Sequence, residues 1–90
     1  MNKYIIERDM PGIGKLTGLE LREISQKACA SIKGMGAGIR WLHSYVTGDK
    51  VFCVYEADNE ELIRESSKLI NLPITRITLV EDVVSPSDTE

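Results

Sequence analysis

The chain has 90 residues, 42% of them hydrophobic, with 11 basic against 14 acidic side chains. That length predicts a single domain over residues 1–90, and a net charge of −3 removes the main electrostatic argument for a nucleic-acid partner. Apolar runs are far shorter than the roughly 20 residues that span a bilayer, and the start turns charged at Glu7-Arg8-Asp9 where a secretory signal stays apolar; the expectation is a cytoplasmic protein with no membrane partner.

Lys3 to Asp9 carries Tyr4, Ile5 and Ile6 ahead of a Met10-Pro11-Gly12-Ile13-Gly14 break, which reads as a strand leaving through a turn. Thr17 then suits a helix N-cap with Glu20 as its capping-box partner, and Leu21, Ile24, Ala28 and Ile32 recur at helical spacing until Gly34, Gly36 and Gly38. Ile39–Thr47 and Lys50–Ala57 are rich in β-branched and aromatic residues around Gly48-Asp49, a two-residue hairpin signal. Pairing Thr47 with Lys50 sets Tyr45 opposite Phe52, His43 opposite Val54 and Trp41 opposite Glu56, unless a bulge shifts the register. Asp58 or Asn59 can cap a second helix with Glu60 and Glu61 in its first turn. Its expected stripe is Leu62, Ile63, Leu69 and Ile70 with Ser66 in the middle, and Pro73 closes it. Ile74 to Val84 alternates as a last strand, followed by a loose polar tail over 85–90.

The order βαββαβ is that of the α+β ferredoxin-like fold, an antiparallel sheet with both helices on one face. All five aromatics (Tyr4, Trp41, Tyr45, Phe52, Tyr55) fall on predicted strands, so alternation sends some of them to the uncovered face. Surface scaling buries only about 64% of the unfolded area of a chain this small. A thin core and an exposed aromatic face are resolved together by a homodimer that packs sheet against sheet, a dimeric α+β barrel with a ligand cavity between the sheets.

His43 is the sole histidine, expected beside Trp41 and Tyr45 on one face, where a neutral imidazole can ligate a divalent metal or serve as a base. Glu7 and Asp9 alternate on one side of the first strand and offer oxygen ligands, Glu7 being the carboxylate candidate. The plainer reading makes His43 a structural histidine and Glu7-Arg8-Asp9 a solvated strand end with weak surface ion pairs. Cys29 and Cys53 share no CxxC spacing and read as reduced thiols. Gly12-Ile13-Gly14-Lys15-Leu16-Thr17 completes neither a dinucleotide fingerprint nor a P-loop.

The strings Tyr4-Ile5-Ile6-Glu7-Arg8-Asp9 with Pro11-Gly12, Trp41-Leu42-His43-Ser44-Tyr45-Val46-Thr47 with Asp49-Lys50, Cys53-Val54-Tyr55, and Asn59-Glu60-Glu61 with Ile63-Arg64-Glu65 resemble a family of small bacterial ferredoxin-like proteins. That family, a domain of unknown function, includes a nickel-responsive, nickel-binding member. The similarity runs from Tyr4 to about Val83. It implies a dimeric barrel and nickel or another divalent metal as the ligand; no organic cofactor is implied. Relatives often carry a histidine directly after the glutamate matching Glu65, where this chain has Ser66, a departure that bears on metal binding. The expected function is thus a homodimeric small-ligand or divalent-metal binder, with His43 and Glu7 as metal ligands and Trp41, Tyr45 and Tyr55 lining the cavity. The alternative is a cofactor-free barrel enzyme, a monooxygenase, isomerase or lyase acting on a small organic substrate through His43 and Tyr45, which rests on fold analogy.

Overall fold

β1 (Asn2–Asp9) buries every second side chain: Tyr4, Ile6 and Arg8 turn inward while Ile5, Glu7 and Asp9 turn out. β3 (Lys50–Ala57) does the same with Val51, Cys53, Tyr55 and Ala57. The inward residues of both strands join Ile32 of α1 (Gly18–Gly34) and Ile63 of α2 (Glu60–Leu69) in one core, so both helices cover the same sheet face. The computed structural model describes residues 1–89, and β2 (Ile39–Val46) and β4 (Arg76–Val80) complete an antiparallel sheet of order β2-β3-β1-β4. This is the ferredoxin-like arrangement expected from the element order.

Local signals account for the helices. Thr17 closes a full capping box on α1: its hydroxyl accepts from the Glu20 amide at 3.2 Å and the Glu20 carboxylate accepts from the Thr17 amide at 3.0 Å. Beyond the helix end Gly36 takes φ +90°, a conformation that favours glycine. Asn59 caps α2 by accepting from the Leu62 amide at 3.1 Å. Ile6 and Ile63 are entirely buried, each stabilising the fold by roughly 1.5–3 kcal/mol.

Three expectations are corrected. Trp41 pairs with Tyr55, not Glu56, because a bulge between Trp41 and His43 leaves Leu42 without a partner and inverts the alternation. Leu69 is exposed: it stands about 120° round the helix from Ile63, and the residues that meet the sheet are Ile63, Ser66 and Ser67. β4 is shorter than Ile74–Val84, since its register with β1 runs from Arg76 opposite Glu7 to Val80 opposite Lys3. Val83 and Val84 lie exposed beyond it. In the polar tail Pro86–Thr89 forms a 3-10 turn whose Asp88 carboxylate accepts from the Ser85 amide at 2.8 Å.

Candidate functional site

The sheet has two unlike faces. The one away from the helices carries Tyr45, Phe52, Glu7 and Arg76 in one cross-strand row and His43, Val54, Ile5 and Thr78 in the next. Tyr45 is 61% exposed and Ile5 40%, while Phe52 and Val54 are half-buried, so an apolar strip crosses a face that no helix covers. His43 stands exposed on the edge strand, its ring edge-on to Tyr45 with centroids 5.1 Å apart. Among the described residues nothing hydrogen-bonds its ring.

Glu7 is elsewhere on that face. It sits one strand beyond Val54's row and two residues along from Ile5, which puts it roughly 12 Å from His43 by sheet spacings. The Lys50 ammonium engages Glu7 at 3.2 Å and Asp9 at 3.1 Å. Hydrogen bonding to Asp9 first, and then to Glu7, holds Lys50 above its ordinary pKa. The surface ion pairs expected of this strand end are present. Lys50 brings the two carboxylates together.

Trp41 and Tyr55 occupy the opposite face from His43 and Tyr45, a correction that follows from the bulge for Trp41 and from plain alternation with Phe52 and Val54 along β3 for Tyr55. They face α1 together with Cys53 and Ser44, and the Trp41 indole N–H donates to the Ser44 hydroxyl at 2.9 Å. Burial, the larger influence, pushes the Tyr55 phenol up, against the opposing pull of the neighbouring Arg8 guanidinium.

Arg8 is the residue the sequence reading set aside as solvated. It is fully buried on the helix side, where its Nη1 donates to the Ser67 hydroxyl and to the Pro73 carbonyl, both at 3.0 Å. The signal that places it was available: Arg8 follows Tyr4 and Ile6 at a period of two. The two cysteines are free, as expected, with Cys53 buried in the core.

Residues 4–80 match the family model described as nickel responsive protein SCO4226-like. The chain belongs to that family. Among solved structures, SCO4226 from Streptomyces coelicolor A3(2) superposes with a TM-score of 0.76 over 91% of this chain and 99% of that one, at 14% identity. An aspartate kinase from Clostridium acetobutylicum, described as an allosteric enzyme, matches with a TM-score of 0.51 over 87% of this chain but 18% of its own length, at 23% identity. At these identities both likenesses speak for the fold alone. No curated protein matches the chain.

Membership in a nickel-responsive family makes the donor set the next consideration. Among the described residues no three His, Cys, Asp or Glu side chains come together as a metal site, and Ser66 is buried with its hydroxyl donated to the Ile63 carbonyl at 2.9 Å. No helix among the described residues is long and apolar enough to cross a membrane.

Proposed function

We propose that the protein is a homodimeric binder of a divalent metal, nickel first, whose open sheet face is covered by a second copy and whose metal is held between copies with His43 as the imidazole donor. The observation that carries this reading is the uncovered apolar strip of Ile5, Tyr45, Phe52 and Val54 with His43 at its margin. Magnitudes agree with a missing partner. The surface of 6125 Å² exceeds the roughly 5,300 Å² that a compact monomer of this mass exposes, and the excess is close to one side of a standard interface. The run after Val80 and the open face both contribute to it. Because Glu7 and His43 lie on one face but far apart, an ion shared by them would take Glu7 from one copy and His43 from the other.

Sedimentation equilibrium together with equilibrium dialysis against nickel, cobalt, zinc and copper tests the reading. The expected result is a dimer that takes up nickel in a His43-dependent manner. A monomer at micromolar concentration, or nickel uptake indifferent to His43→Ala, overturns it.

A further inference from the structure

Between the C-terminal half of α1 and the start of β2 the surface opens into a groove of about 440 Å³, lined by Cys29, Ile32, Ile39 and Trp41 with the exposed cations Lys33 and Arg40. At the far edge of the sheet β4 ends at Val80, and the chain continues as Glu81-Asp82-Val83-Val84, two carboxylates followed by valines that are 61% and 76% exposed. The run is the chemical complement of the groove: acids for its cations, aliphatic side chains for its apolar wall. The radius of gyration, 13.8 Å against roughly 12 Å for a compact domain of this length, agrees with chain standing off the body.

A chain's own groove lies on the wrong edge for its own run. Arg40, Glu56, Lys3 and Val80 form one cross-strand row with Arg40 and Val80 at its ends, three strand spacings or about 14 Å apart. A second copy laid sheet to sheet about a two-fold axis parallel to the strands, midway between β3 and β1, removes that separation. Each β4 then lies over the other copy's β2, with Val80 of one above Arg40 of the other. The same axis sets Lys3 against Glu56, Asp9 against Lys50 and Ile5 against Val54 between copies, opposite charge on opposite charge and aliphatic on aliphatic. Glu7 meets Phe52, but its charge is already engaged by Lys50. An in-plane axis across the strands puts β4 over β4 and leaves the grooves empty.

We infer that residues 81–84 of each copy wrap the edge of β2 in the other and occupy the groove, Glu81 and Asp82 against Arg40 and Lys33, and the valines against the wall of Ile32, Ile39 and Trp41. Four extended residues span about 13 Å, enough to cross the roughly 10 Å between packed sheets. The exchange is reciprocal, as a two-fold interface requires. It rests on the face-to-face homodimer proposed above and is independent of metal.

Cys29, part-buried in the groove, supplies the test. Val83→Cys and Val84→Cys are made singly in the full chain, since neighbours in an extended run point to opposite sides. Each is oxidised with diamide in EDTA and compared with the native chain on a non-reducing gel. At least one is expected to give covalent dimer tenfold faster than the native chain, with the linked peptides joining Cys29 to the introduced thiol. Cys29→Ser is expected to abolish that product. Lys33→Glu is expected to slow it severalfold, and Glu81→Lys in the same chain to restore it. Sedimentation equilibrium of the reduced proteins separates the two readings. A monomer overturns the dimer and the exchange together. A dimer in which neither variant links to Cys29 overturns the exchange alone. So does an intramolecular disulfide, which would place a chain's own run in its groove, a product indifferent to Cys29→Ser, or a rate indifferent to Lys33→Glu.

Discussion

Arg8 and Ser67 are 59 positions apart in sequence, and the 3.0 Å hydrogen bond between them ties the end of β1 to the inner face of α2. Its donor is charged and both partners are buried, so it belongs to the stronger class of protein hydrogen bonds. Ser67→Ala leaves Nη1 with only the Pro73 carbonyl. The expected loss is about 1.5–3 kcal/mol, measured as a lowered urea midpoint at unchanged slope, and a loss within experimental error would show that the contact is energetically idle.

The capping box at the start of α1 gives a second, milder case. Thr17→Ala removes the hydroxyl that satisfies the Glu20 amide and is expected to cost about 1 kcal/mol. Thr17→Ser keeps the oxygen and is expected to lie within a few tenths of the native value. Equal losses from the two substitutions would point to the lost methyl group instead of the cap.

Gly14 is held against the hairpin turn, its amide donating to the Gly48 carbonyl at 3.0 Å. A Cβ there would stand 2.7 Å from the Thr47 carbonyl oxygen and 2.9 Å from the Gly48 Cα, both backbone atoms that cannot swing away. Gly14→Ala is therefore expected to destabilise by about 1–3 kcal/mol, whereas Gly18→Ala, with open space at its Cβ, should be neutral or mildly stabilising. Thermal melts of the pair decide it.

Two groups make stability fall on the alkaline side, and the sign is the same for both. Lys50 is held above its ordinary 10.5 by Asp9 and Glu7, and Tyr55 above its ordinary 10.0 chiefly by burial. In each case the unfolded chain loses its proton first. The stabilisation is whole below the unfolded value and disappears as pH rises through the folded one. Urea midpoints are expected to be flat with respect to these two groups at neutral pH and to drop from about pH 10 upward. Tyr55→Phe should flatten part of that drop. Added salt should weaken the share of the exposed Lys50 while leaving that of the buried Tyr55, and a slope unaffected by either change would refute the assignment.

The open face predicts its own disruption. Tyr45→Lys places a charge in the apolar strip beside Phe52, its cross-strand partner, and touches nothing under the helices. Sedimentation equilibrium should show the proposed dimer dissociating at least tenfold more readily, with the far-UV spectrum retained.

The amino-acid sequence by itself determined the elements and most of the register. Capping residues, apolar periodicity and the Gly48-Asp49 turn are local signals, and Tyr45 does face Phe52 and His43 does face Val54. Period-two alternation is also local until one residue is inserted. The bulge at Leu42 reverses every side chain on its N-terminal side, which takes Trp41 away from His43 and beneath α1. What shows in the fold is the indole seated under the helix with its N–H on Ser44.

Arg8 shows the other limit. Its parity with Tyr4 and Ile6 was readable, but a charged residue between two carboxylates at a strand end reads as solvated until something is known to roof it. Only the tertiary structure brings α2 and the Pro73 carbonyl over that position. Local sequence sets which way a side chain points. What it points into is set by chain 60 residues away, through packing that no local pattern encodes.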